Sequence, residues 1–153
     1  MILHAGLIAI RIGGPWRGVL ITGPSGAGKS DLALRLLQRG FRLVTDDRTV
    51  MFRSGAGLYG APPASLRGLL EVRAVGIGRH SFVPLAEIVL AVHCVASPGA
   101  VERLPPLDEA TFLDQVVPQL ALWPFEPSAA EKIIVTLERL GSGRKDGYHT
   151  PHP

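Results

Sequence analysis

The chain has 153 residues, 46% apolar and 19% charged, a balance that fits one globular domain with a modest core and excludes a disordered chain. Its net charge of +3 comes from 16 basic and 13 acidic residues, without a Lys/Arg cluster or interleaved aromatics, so no nucleic-acid partner is expected. No apolar run approaches the ~18 residues of a membrane span, Met1-Ile2-Leu3-His4 lacks the basic region of a secretory signal, and the single cysteine, Cys94, rules out an intramolecular disulfide; a cytoplasmic protein with no membrane partner is expected.

Residues 2–12 read as a strand, with Leu3, Ala5, Leu7 and Ala9 opposite His4, Ile8 and Ile10. Gly13 to Trp16 form a turn, and residues 17–22 return as the second strand of an antiparallel hairpin. This strand runs into Gly23-Pro24-Ser25-Gly26-Ala27-Gly28-Lys29-Ser30, which reads G-x-x-x-x-G-K-S, a phosphate-binding loop. Each fixed residue has a chemical reason. The glycines let backbone N–H groups turn inward around phosphate oxygens, Lys29 reaches the β- and γ-phosphates, and the Ser30 hydroxyl can ligate magnesium. The helix that follows, Asp31 to Arg39, carries Leu32, Ala33, Leu36 and Leu37 at helical spacing, stops at Gly40, and aims its positive end at the same anion.

Phe41 to Thr45 read as a strand ending in Asp46-Asp47, where acids are well placed for catalysis because ligands of α/β sheets gather at the carboxyl ends of strands. A turn-forming Asp pair ahead of Arg48 is the plainer alternative. Thr49 to Phe52 and Leu58 to Gly60 form a second hairpin, broken by Pro62-Pro63. Leu66 to Gly78 look like a strand passing into a flexible segment, with Glu71 between apolar neighbours and therefore in need of a partner. Glu87 to Val95 form a continuous central strand in which His93 and Cys94 are read as core or sheet positions. Leu107 to Gln115 suggest a short helix stopped before Pro118, and Leu120 to Trp123 a last short strand. Ser128 to Glu131 form a capping box that opens an amphipathic helix through Leu140. The domain is expected to span 1–140, with 141–153 a polar, disordered tail.

The phosphate loop, the run "RGFRLVTDD" directly after its helix and the run "LLEVRAVGI" further on together resemble the catalytic C-terminal domain of HPr kinase/phosphorylase, over about residues 3 to 140. The resemblance implies an α/β fold of the HPr kinase and phosphoenolpyruvate carboxykinase type, a P-loop kinase domain with a mixed sheet and few helices. It implies the short α-proteobacterial form, without the family's usual N-terminal domain. The activity implied is transfer of phosphate from ATP, with Mg2+, to a serine of an HPr-type phosphocarrier of the phosphotransferase system, by an enzyme that assembles as a hexamer. Residue by residue, Gly23 to Ser30 match the ATP loop, Asp47 the general base, and Glu71 the glutamate that joins Ser30 on magnesium, with Ala74 where the family has glycine. His4 matches the histidine paired with the catalytic acid, and Arg103 in "VERL" the active-site arginine. One segment departs. Pro124-Phe125-Glu126-Pro127-Ser128-Ala129-Ala130 stands where the family carries Pro-Val-Arg-Pro-Gly-Arg-Asn, so both arginines are gone and phosphorylase activity is doubtful. A small-molecule kinase and a non-catalytic ATP-binding sensor are the alternative functions. The first lacks an obvious Arg-rich lid here, and the second has no need of a retained base.

Overall fold

The computed structural model describes residues 1–11, 14–101 and 107–141. Two strands, β1 (Ile2–Leu3) and β2 (Gly6–Arg11), take the place of the single strand expected over 2–12. The Ala5 N–H bonds back to the Leu3 carbonyl at 3.0 Å, so the chain turns a corner at His4. The antiparallel partner of β2 is β3 (Trp16–Thr22), as the hairpin pattern predicts. After the glycine loop come α1 (Lys29–Leu37) and β4 (Arg42–Thr45), which lies on the other side of β2. The hairpin of β5 (Thr49–Ser54) and β6 (Gly57–Ala61) is present, with β1 on its outer edge.

Two expectations fail in the second half. The segment after Leu66 is not a strand leading into flexible chain but a separate hairpin, β7 (Leu69–Val72) and β8 (Gly76–Arg79), turning through Ala74 at a positive φ of 69°. The helix expected over Leu107 to Gln115 is also a hairpin. After the central strand β9 (Ala86–Cys94), β10 (Asp108–Phe112) and β11 (Gln115–Leu122) are joined by Leu113-Asp114, both at positive φ, the conformation of a tight two-residue turn. Ala110 and Phe112 alternate inward from β10, a period of two where a helix would need 3.6. Pro118 lies inside β11, and pairing to β9 begins only at Gln119, so its missing N–H falls on an edge still unpaired. The last element, α2 (Ala129–Gly141), matches the expected amphipathic helix. Gly141 ends α2, and the rest of the expected tail, residues 142–153, lies outside the described residues.

The large sheet runs β1-β5-β6-β9-β3-β2-β4, with β11 also on β9 and β10 outside it. Strands β3, β9 and β11 are parallel, and β4, antiparallel to β2, runs the same way. The phosphate loop, Asp46-Asp47, His93 and Trp123 therefore all emerge at one end of the sheet. His4 reaches that end by the opposite route, because the antiparallel β2 starts there.

Both faces of the sheet are covered, which is why apolar residues run consecutively in β2 and β9 instead of alternating. Ile8, Val19, Ile21, Leu90 and Val92 pack under the two helices against Leu32, Leu36, Ile133 and Leu137. Leu7, Ala9, Leu20, Ile88 and Ala91 pack on the other side against Met51, Leu58 and Val117. Among the described residues no helix is long and apolar enough to cross a membrane. Ile133 is fully buried between α2 and the sheet. Ile133→Ala is expected to lower stability by about 2–5 kcal/mol. A urea titration should show a lower midpoint at unchanged slope, since the surface exposed on unfolding is nearly the same.

Candidate active site

The loop between β3 and α1 holds its shape through backbone that only glycine adopts readily. Gly23 has φ 142° and Gly28 φ 101°, and a side chain at either would collide, at Gly23 with the Cys94 carbonyl (2.8 Å) and at Gly28 with the Phe125 ring (2.7 Å). Lys29 Nζ donates to the carbonyls of Gly23 (2.7 Å) and Pro24 (3.0 Å), so the ammonium lies across the loop's mouth. The first turn of α1 brings its backbone N–H groups and positive dipole end to the same place, an arrangement that favours an anion.

On the β4 flank of this loop the two acids separate into different environments. Asp46 is partly buried and uses both oxygens: Oδ1 accepts from the Ser30 hydroxyl at 3.0 Å and Oδ2 from the Glu71 N–H at 3.2 Å. Burial pushes its carboxyl above the ordinary 3.8, and the nearby Asp47 charge adds to the rise, while the Glu71 and Ser30 hydrogen bonds oppose it. Asp47 turns outward at φ 69°, a left-handed conformation that Asp tolerates better than most residues, and its Oδ1 meets His4 Nε2 at 2.5 Å. Both members of this pair remain more than half exposed, at 58% for Asp47 and 56% for His4.

His4, Lys29, Ser30 and Asp47 are thus brought together, with the Glu71 backbone. The Glu71 carboxylate is exposed on the β7–β8 hairpin and not enclosed among apolar neighbours, so the partner that an enclosed carboxylate would need is not required of it. Arg103 lies outside the described residues. Ser30, Asp46 and Glu71 offer hard oxygen donors of the kind magnesium takes. Among the described residues no three His, Cys, Asp or Glu side chains form a metal cage. Magnesium that travels with a nucleotide needs none, since phosphates and water complete its octahedron.

Two neighbours of the loop do more than the sequence assigns them. Asp46 is expected only as one of a catalytic pair, and its role as connector appears once Ser30 and Glu71 are seen on its two oxygens. His93 is a sheet position but not a core one: it is exposed at the end of β9, and its Nδ1 lies 3.2 Å from the Thr22 hydroxyl, immediately before Gly23. Cys94 is fully buried, and desolvation pushes its thiol up to about 11, which makes it inert packing.

A raised carboxyl value has a definite sign for stability. Between 3.8 and the raised value the folded chain binds more protons than the unfolded one, so the Asp46 contribution falls as pH rises through that window. Asp46→Asn removes the titration. The melting temperature of the variant relative to the parent should rise as pH climbs above 3.8, and a flat difference across the window would show Asp46 to be unperturbed.

With this geometry in place, the chain is compared with known proteins. Residues 2–120 match the family model described as HPr Serine kinase C-terminal domain. The chain is 39% identical over 116 residues to the HPr kinase/phosphorylase of Levilactobacillus brevis, covering 69% of this chain and 37% of that protein. It is 44% identical over 84 residues to the HPr kinase/phosphorylase of Limosilactobacillus reuteri, covering 50% and 26%. The chain therefore spans well under half the length of these curated relatives. In three dimensions it resembles the HPr(Ser) kinase/phosphatase of Coxiella burnetii, with a TM-score of 0.77 at 26% identity over 93% of this chain and 98% of that one. The mixed α/β sheet with two helices among the described residues is thus the fold expected from the sequence.

Proposed function

The chain belongs to the HPr Serine kinase C-terminal domain family, and from that premise we propose that it is an ATP-dependent protein-serine kinase acting in the cytoplasm on an HPr-type phosphocarrier. What supports the reading is the His4–Asp47 pair near the glycine loop: strands that start and end at the same end of the sheet bring a histidine and an acid together there. Its exposure favours a serine presented on a protein surface over a metabolite enclosed in a pocket. It also argues against a purely sensory role, which needs no acid there.

Phosphoryl transfer asks for positioning and charge neutralisation more than for covalent chemistry. Lys29 and the loop N–H groups hold the β- and γ-phosphate oxygens and offset the charge that develops on them. Ser30 and Glu71 would hold magnesium, with Asp46 orienting the Ser30 hydroxyl, and the ion would supply charge neutralisation for the transferred group. Asp47 accepts the proton of the attacking serine as the Oγ–P bond forms and the bond to ADP breaks. His4 fixes the Asp47 carboxylate toward the acceptor. In this reading the segment carrying Glu126 in place of arginine argues against a phosphorylase activity and leaves the kinase residues untouched.

Incubation of the purified chain with Mg-ATP and the HPr-type carrier of its own organism, followed by intact-mass spectrometry, tests the proposal. One added phosphate on a serine is expected, and Lys29→Ala should lower its formation by roughly 10²-fold or more. A carrier that stays unmodified while ATP binds would move the assignment to a different acceptor or to a sensor.

Asp47→Asn should reduce kcat by about 10²–10⁴-fold with nucleotide affinity nearly intact. Equal losses of turnover and affinity would assign Asp47 to binding instead of proton transfer.

A further inference from the structure

The segment between β11 and α2 is held to the phosphate loop by contacts that the transfer chemistry does not use. Arg35, two turns into α1, donates to the carbonyls of both Pro124 and Glu126. Its guanidinium is itself tethered to Asp31 in the first turn, Nε to Oδ2 at 3.2 Å. The Glu126 carboxylate pairs with Lys132 of α2 at 2.5 Å. The residues on either side of Phe125 are therefore fixed, and Phe125 is fixed with them. Its ring edge abuts Gly28, the last glycine of the loop, and Trp123 meets it edge-on at a centroid distance of 6.3 Å. Yet Phe125 stays 53% exposed. Held beside the loop with half its surface open, the Phe125 ring is available to whatever the loop binds.

Topology says what that is. Asp46, Asp47 and His4 stand on the β4 flank of the loop, so the γ-phosphate of a nucleotide, where transfer occurs, points to that side. A nucleotide so oriented would send its other end toward β9 and β11, and among the described residues the side chain lying against Gly28 on that side is Phe125. We infer that Phe125 is the platform on which the nucleobase of the bound nucleotide stacks, its ring presented beside the phosphate loop by the Arg35 clamp. The inference rests on the nucleotide reading of the loop and adds where the base goes. The chemical class is a purine triphosphate: the bicyclic base has the larger π-face, and stacking of this kind tolerates any purine because it uses the face and not the edge.

The experiment measures binding of Mg-ATP and of magnesium tripolyphosphate to the full chain by titration calorimetry, for the parent, Phe125→Ala, Phe125→Leu and Phe125→Trp. The base is the difference between the two ligands, so the platform predicts a ligand-selective effect. Phe125→Ala should weaken Mg-ATP by about tenfold and leave tripolyphosphate within about twofold, in line with the usual worth of one base–aromatic stack. Phe125→Leu, which keeps an apolar contact on Gly28, should lose most of the same factor, and Phe125→Trp should restore it. Equal weakening of both ligands would make Phe125 a structural support of the loop and overturn the inference, as would an unchanged Mg-ATP affinity. A parent chain that binds tripolyphosphate but gains nothing from the nucleoside would overturn the platform while leaving the phosphate loop standing. A parent that binds neither ligand would bring down the nucleotide reading itself.

Discussion

The carboxylate of Asp46 joins three parts of the molecule that the chain makes separately. Its oxygens hold the start of α1 through Ser30 and the β7–β8 hairpin through the Glu71 N–H, while its own backbone ends β4. A partly buried carboxylate is costly, and here burial outweighs the hydrogen bonds that favour its charged form, so the group titrates above the ordinary range. Such a cost is tolerated where it fixes geometry. With Asp46 anchored, the next residue cannot follow it inward; Asp47 turns left-handed and its carboxylate comes out beside His4. The exposed pair is thus a consequence of the buried neighbour.

The sheet makes this local arrangement possible. In a purely parallel sheet every strand would finish at the ligand end and none would start there. The antiparallel β2, inserted between β3 and β4, begins where its neighbours stop, and brings a side chain from the very start of the domain to the acid at the end of β4. Because β2 is buried on both faces, its register is tightly specified: a slip by one residue would exchange Leu7 for Ile8 between two different packing environments. The same slip would turn His4 away from Asp47. Core packing and site geometry are therefore one constraint on this strand.

Much of the fold could be read from the sequence because its strongest signals are local. Strand β3, the loop and α1 follow one another within 22 residues (16–37), and each uses residues whose chemistry permits few other structures. The central strand β9 is a long β-branched run and was equally plain. The β10–β11 hairpin was not, because its turn is Leu113-Asp114, where tight hairpins usually advertise themselves with Asn-Gly or Asp-Gly. Asp108, Glu109 and Ala110 are also weak strand formers, and tertiary pairing overrides that preference. The β7–β8 hairpin hid for a similar reason: its turn uses Ala74 at positive φ, and its glycines at 76 and 78 read as looseness. The capping box at Ser128 was legible as a helix start, but Glu131 pairs with Arg39, in the turn after α1, at 2.5 Å, a contact no local pattern announces.

Of the site, sequence order supplied the types and space supplied the roles. The pair Asp46-Asp47 gives no sign in sequence of which acid is buried and which faces outward. That is decided by Ser30, 16 residues earlier, and by Glu71, 25 residues later. Once decided, it also orients a nucleotide. In the proposed reading, the acids on the β4 flank face the triphosphate's reactive end and the opposite flank, where Arg35 holds the segment bearing Phe125, is left to the nucleoside. One helix, α1, governs both halves: Ser30 in its first turn faces the acids, and Asp31 with Arg35 faces the aromatic loop. A rotation of α1 that loosened one contact would loosen the other. The placing of the acids and of the aromatic segment is in this way set by the seating of a nine-residue helix on Ile8, Val19 and Ile21.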